Sequence, residues 1–179
     1  MEVTSNMKKL KAVISTFIFS YLFWILFTGI YSAYDSQEYI VGAVVCLIIA
    51  VFSSSFFIQQ KPFWLFNPKR LGSLLIFIPF YAIELYKANW DVAKRALSPK
   101  LKINPGIVKI ETEVKSDYGL AMLSNCITLT PGTITMDIIE EKNKCYMYIH
   151  WIDVGTRDIK EASETIKGAF EPWVRRIFK

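Results

Sequence analysis

Ala12 to Tyr34 is a run of 23 residues without a charge, and Tyr39 to Gln60 is a second uncharged run of 22. No soluble globule gathers its apolar residues into two such blocks. Each block matches the roughly 20 residues that a helix needs to cross a hydrocarbon core about 30 Å thick. The first holds 11 Val, Ile, Leu or Phe residues. At roughly −0.3 to −0.6 kcal/mol each, its insertion gains about 3–7 kcal/mol. The second holds 12 such residues and should insert as readily. A cleaved leader is the competing account of the first run. The run is longer than a typical apolar leader core and no A-x-A site follows it, so it is expected to stay. Only Tyr34-Asp35-Ser36-Gln37-Glu38 joins the two runs, which predicts an antiparallel hairpin of transmembrane helices over about 12–34 and 39–60.

Orientation follows from the cations. Lys8, Lys9 and Lys11 precede the first run, Lys61, Lys69 and Arg70 follow the second, and the loop offers only Asp35 and Glu38. The excess of lysine and arginine marks the cytoplasmic side, so the N-terminus and all that follows the hairpin are expected there, in a multi-pass protein of the cell membrane. The formal charge of +5 therefore reads as topology, and no nucleic-acid partner is expected.

A third apolar run, Leu71 to Ile83, is only 13 residues long and ends at Glu84 and Lys87. Its eight strong apolar residues gain about 2.4–4.8 kcal/mol, while one ionised group at the bilayer centre costs about 2.5–3.5 kcal/mol. Gly72, Ser73 and Pro79 weaken it, and a crossing would carry Lys87, Lys94, Arg95, Lys100 and Lys102 outside. The preferred expectation is a helix over about 70–97 lying on the cytoplasmic face, with a third crossing as the alternative. Its later half is amphipathic: Leu85, Trp90, Ala93 and Leu97 can share one side, and Lys87, Asp91, Lys94 and Arg95 the other. Residues 1–97 are thus read as a membrane domain.

Ser98-Pro99 and Asn104-Pro105-Gly106 mark residues 98–106 as a linker. Beyond it, 107–179 reads as a small cytoplasmic α+β domain. Val108, Ile110, Thr112 and Val114 alternate with Lys109, Glu111, Glu113 and Lys115, the pattern of a strand with one wet face. Ser116 or Asp117 can cap a helix that Pro131-Gly132 must end. Thr133 to Ile139 alternates again, with Ile134, Met136 and Ile138 on one face. A turn through Asn143 leads to a returning strand, Cys145 to Val154, with Met147, Ile149 and Trp151 on one face. A long helix is expected from Gly155-Thr156, with Ile159, Ala162, Ile166, Phe170, Trp173 or Val174, and Ile177 inward, and kinked or restarted at Pro172. The order β-α-β-β-α is most of a ferredoxin-like split motif. At roughly 75 residues the unit is marginal alone and should rest on a partner or the membrane.

Little in the chain resembles catalytic chemistry. Phosphate loops, nucleophile elbows, zinc motifs and paired cysteines are all missing from the sequence, and Cys46, Cys126 and Cys145 form no framework. No catalytic residue, metal ligand or cofactor is expected, and the chain is read as a non-enzyme. His150 should lie on the strand face opposite Met147 and Ile149, as an ordinary polar residue. Asp137 and Asp153 fall on neighbouring strands, where surface solvation is the simpler account. Glu84, at the edge of an apolar segment, is the ion-path candidate. The simpler account is that it marks the polar side of an interfacial helix and pairs with Lys87. Thr128-Leu129-Thr130-Pro131-Gly132-Thr133 ends a helix and aims a strand, and could also present hydroxyl and backbone groups to a partner.

Around this segment the sequence is recognisable. SNCITLTPGTITMDI (Ser124 to Ile138), YIHWIDV (Tyr148 to Val154) and IKGAFEPWVRRIF (Ile166 to Phe178) resemble the E subunit of the Mrp/Mnh-type multisubunit Na+/H+ antiporters. The resemblance extends over nearly the whole chain, including the apolar hairpin and Asn67-Pro68. Cys126 stands where that family often has a serine-like residue, which argues against hydroxyl chemistry there. The resemblance implies a complex exchanging sodium or another monovalent cation for protons, in support of Na+ and pH homeostasis. Larger subunits, similar to pumping components of respiratory complex I, would carry the ion paths. This chain would be an accessory, assembly or stabilising subunit whose partners are the other membrane subunits and the lipid bilayer. The alternative is a stand-alone membrane-tethered ligand-binding or regulatory module.

Overall fold

A computed structural model describes residues 2–28, 36–57, 66–101 and 103–178. Residues 29–35, with Tyr34 and Asp35 of the expected loop, lie outside the described residues. So do 58–65, with the end of the second run and Lys61, and so does Lys102. The chain divides into two compact units, Met1–Asn67 and Pro68–Lys179.

The first unit is two helices, α1 (Glu2–Thr28) and α2 (Ser36–Phe57). In hydrocarbon every backbone N–H and C=O needs an internal partner, and a helix supplies one for each. Lys9–Thr28 and Ser36–Ser53 are long and apolar enough to cross a membrane. The second helix begins earlier than the linking sequence suggested. Ser36, Gln37 and Glu38 form the first turn of α2, where the Glu38 carboxylate meets the positive end of the helix dipole. The helices pack on each other. Seven residues of chain reach about 24 Å at most, less than either helix length, so α1 and α2 run antiparallel.

Lipid tails give helices no hydrophobic reason to associate, so close packing of small residues must do it. Ala12, Ser15, Cys46 and Ala50 are buried at this contact. Gly42, Cys46 and Ala50 follow a small-x-x-x-small spacing along α2. At Gly42 the Trp24 indole lies so close that an added Cβ would collide with its Nε1 edge. Gly42→Val is therefore expected to push the helices apart, at about 1–3 kcal/mol, and to lower the folded yield in detergent. Trp24→Ala in the same chain should restore it.

The second unit begins with α3 (Pro68–Ala96), a 29-residue helix that is also long and apolar enough to cross a membrane. It continues through β1 (Gly106–Thr112), α4 (Asp117–Leu129), β2 (Thr133–Glu141), β3 (Lys144–Trp151), α5 (Ile159–Lys167) and α6 (Glu171–Phe178). The sheet order is β1-β3-β2, and both pairings are antiparallel. Val108, Ile110, Met147 and Ile149 on one sheet face meet Leu123, Ile127, Ala162 and Val174 of the helices to make the core. The opposite face carries Ile107, His150 and Ile134 in one row. His150 thus stands opposite Met147 and Ile149, as the alternation required.

Local signals explain most boundaries. Ser116 caps α4, its hydroxyl accepting from Gly119 N–H. Lys142 and Asn143 both have positive φ, so β2 and β3 join through a tight two-residue turn. The last helix is interrupted and starts three residues later than Thr156 suggested. Asp158 is its cap, accepting from the Lys160 and Glu161 amides. The chain breaks after Lys167 and restarts at Glu171, with Pro172 in the first turn of α6, where it lacks no needed donor. Of the Trp173/Val174 alternatives, Val174 enters the core, while Trp173 packs on α3.

The expected inward face of β2 is corrected. The ladder slips between Thr135 and Asp137, so Met136 falls out of step. Ile138 lies opposite Met147 on the helix-covered face, but Ile134 lies opposite His150 on the open one. A bulge flips the alternation, and nothing in a residue pattern reports it. Side chains take up amides on the outer strand edges. Ser163 Oγ accepts from Glu111 N–H at 3.0 Å on β1, and Thr128 Oγ1 from Thr135 N–H at 3.1 Å on β2. Asn104 of the expected linker is also held, exchanging backbone bonds with Ile152 and Val154.

Candidate functional site: the cleft between α3 and the sheet end

The two sequence candidates, Glu84 and Thr128–Thr133, lie far apart in the chain, yet Glu84 and Thr130–Thr133 line one cleft of about 340 Å³. It forms where the later half of α3 crosses the end of the sheet, beside the start of β2 and the end of β3.

Two sets of contacts hold α3 there. Phe77 and Phe80 meet the Trp173 ring at 6.4 and 5.6 Å, and Tyr81 meets Phe170 edge-on at 5.7 Å. Farther along, Gly132 approaches Val92, and Arg95 pairs with Asp153 just beyond β3 and Asp91 of its own helix. The amphipathic pattern expected of α3 is therefore corrected in part. Arg95 faces the sheet end, and the helix has two apolar sides, one of which the α+β elements cover. Asp153 is drawn to Arg95, while Asp137 stays five ladder positions away, about 17 Å along the strand, accepting from the Ile138 amide. The β-hairpin does not bring the two aspartates together.

The Thr128–Thr133 segment uses its polar groups internally. Thr130 Oγ1 donates to Cys126 O at 2.6 Å, and Thr133 Oγ1 donates to Ile127 O at 2.7 Å. These bonds close the carbonyls that a helix end leaves open. Pro131 forbids another turn. Gly132, at φ +96°, turns the chain into β2 and leaves room for Ile152 and Val92. Leu129 is the member that projects, 66% exposed. Glu84 is paired with Lys87 at 2.7 Å. Cys126 is buried, and burial pushes its thiol up to about 11, which leaves it protonated and unreactive near neutral pH. Among the described residues no three His, Cys, Asp or Glu side chains converge as they would around a metal ion.

Sequence reasoning missed a second polar centre. Glu171 and Lys167 form a buried ion pair beneath β1. Glu171 Oε1 also accepts from Thr112 Oγ1 at 2.5 Å and from Glu113 N–H at 2.7 Å. Burial alone would raise the Glu171 pKa, but its bonds from Lys167, Thr112 and the Glu113 amide overcome this and lower it. The i, i+4 spacing of Lys167 and Glu171 was visible, but Gly168 and Pro172 between and beside them hid the pairing.

This arrangement is a joint between a long apolar helix and an α+β unit, within a protein that also carries an apolar helical hairpin. It defines a membrane protein with a structural cleft. The chain belongs to the MNHE family, described as Na+/H+ ion antiporter subunit, whose profile matches residues 17–177. It is 36% identical over 148 residues to the E subunit of the Na(+)/H(+) antiporter of Alkalihalophilus pseudofirmus, covering 82% of this chain and 87% of that one. It is 31% identical over 156 residues to the E1 subunit of the Na(+)/H(+) antiporter of Staphylococcus aureus (strain bovine RF122 / ET3-1), covering 87% and 91%. Among solved structures it resembles a chain of the membrane-bound sulfane sulfur reductase, an archaeal respiratory membrane complex. That match has a TM-score of 0.80 and 38% identity, over 94% of this chain and 99% of that chain. The family is one of transporter subunits rather than enzymes.

Proposed function

We propose that this chain is an accessory subunit of a multisubunit monovalent cation/proton antiporter and serves its assembly or stability. The observation that carries this is the family match over residues 17–177 in a chain whose hairpin spans hold no charge from Ala12 to Thr28 or from Tyr39 to Phe57. Ion relays need ionisable groups inside the membrane, so transport falls to partner subunits. Positive residues in the first turns of α1 and after α2 support an N-terminus and an α+β unit on the cytoplasmic side.

Packing supports the interfacial reading of α3. Only residues 68–76 precede its first ring contact with α6, about 14 Å of helix against a core of about 30 Å. A full crossing would bury Arg175 and Arg176 of α6 in hydrocarbon. The sheet order β1-β3-β2 supports reading the C-terminal elements as a ferredoxin-like split motif. Thr128–Thr133 acts as the joint that seats α3, and Leu129 is its candidate contact with a partner subunit.

The chain, tagged and purified from its own host in mild detergent, should bring several multi-spanning subunits with it, and its deletion should lower sodium tolerance. A clean monomer with unaltered tolerance would instead favour a stand-alone tethered module. The 38% identity to a respiratory-complex chain supports one other host; co-purifying redox subunits would favour it. Glu84 is paired with Lys87 on its own helix, so Glu84→Gln is expected to leave antiport per assembled complex unchanged. A fall in antiport at constant abundance would make Glu84 part of an ion path.

A further inference from the structure

The side of α3 that faces away from the α+β elements is mostly apolar, with exposed Asn89 the polar member of its stripe. Leu71, Leu75, Ile78, Tyr86 and Trp90 are exposed there, and the line continues to Leu97, 86% exposed. Their spacings of three, four, seven or eight residues keep them on one stripe. Lys69, Lys87 and Lys94 are 18 and 7 residues apart. At about 3.6 residues per turn these are whole numbers of turns, so the three lysines form a row along one border of the stripe. Lys94 Nζ stands 5.5 Å from the Trp90 ring. The acids lie inward of that row: Glu84 pairs with Lys87, and Asp91 with Arg95. Five cations against two acids give α3 a net +3 (5 − 2).

We infer that this face binds the anionic headgroups of a bilayer leaflet, with the apolar stripe at the acyl boundary and the lysine row at the phosphates. The inference rests on reading α3 as interfacial and adds the chemistry of the lipid. Tryptophan and tyrosine beside a lysine border are the composition of a membrane interface, where long cationic side chains reach from apolar surface to headgroup. A protein partner is less suited, because protein–protein interfaces are depleted in lysine. Charge complementarity then selects acidic lipid over zwitterionic, since each surface lysine contributes about 1 kcal/mol, or roughly fivefold.

The test uses the full chain in nanodiscs of phosphatidylcholine with spin-labelled phosphatidylglycerol or spin-labelled phosphatidylcholine. The expected result is a several-fold preference for the anionic lipid. Lys87→Gln with Lys94→Gln should abolish it, and Lys87→Arg with Lys94→Arg should keep it. In parallel, nitroxides at positions 71, 75, 78, 86 and 90 report depth from oxygen and nickel-chelate collisions. A uniform shallow depth with no lipid preference would overturn the inference and leave the interfacial reading standing. Depth that rises to the bilayer centre and falls again along α3 would overturn both. Labels shielded from both quenchers in the assembled complex would assign the face to a protein neighbour and overturn the inference.

Discussion

Gly132→Ala should loosen the second unit by about 2–6 kcal/mol and release the end of α3. Two costs combine. A residue with a side chain held at φ +96° costs about 1–3 kcal/mol. The new Cβ would sit 2.9 Å from Ile152 Cγ2 and 3.7 Å from Val92 Cγ2, an overpacking worth about 1–3 kcal/mol. Hydrogen exchange locates the effect, because opening free energies differ between regions of one protein. Protection should fall in the last two turns of α3 and at the start of β2, with little change in α1 and α2. Ile152→Ala combined with Gly132→Ala should recover only the steric part. Full recovery would mean that the positive φ carries no cost here.

Lys167→Met is expected to cost about 3–5 kcal/mol, since it leaves the Glu171 carboxylate buried without its cation. Lys167→Met with Glu171→Gln should recover most of this. The amide oxygen still accepts from Thr112 and the Glu113 N–H, and no charge stays unpaired. A double-mutant cycle on thermal unfolding of the full chain in detergent measures the coupling. The same pair sets an acid limit. Folding lowers the Glu171 pKa, so the unfolded chain binds more protons at acid pH. Its contribution is complete above the ordinary glutamate value and is lost as pH falls through the depressed one. Glu171→Gln should flatten that part of the profile.

What could be read from residues alone was what short-range chemistry decides. The uncharged runs define the hairpin because no other structure satisfies their backbone in lipid. Ser116, Pro131-Gly132 and Asn143 act within a few residues, and each does what its local signal implied. Three features were hidden because their causes lie far along the chain. The bulge at Met136 depends on a ladder partner. Arg95 meets an aspartate 58 residues away. The second apolar side of α3 exists only because Phe170 and Trp173 cover it. The site shows the same division: Glu84 and Thr130–Thr133 could each be singled out, but only packing brings them to one cleft.

The occupied edge amides described above have a consequence for how a neighbour can attach. A three-stranded sheet has two borders and a single interior strand, so it is an inviting template for strand addition. Here Glu111 N–H on β1 and Glu113 N–H just beyond it are taken by Ser163 and Glu171, and Thr135 and Ile138 N–H on β2 by Thr128 and Asp137. Met136 breaks the run on the second border. Many copies held in the plane of one membrane meet far more often than free molecules do. Outward amides taken up in this way hinder such encounters from growing into intermolecular sheets and favour assembly by side-chain recognition.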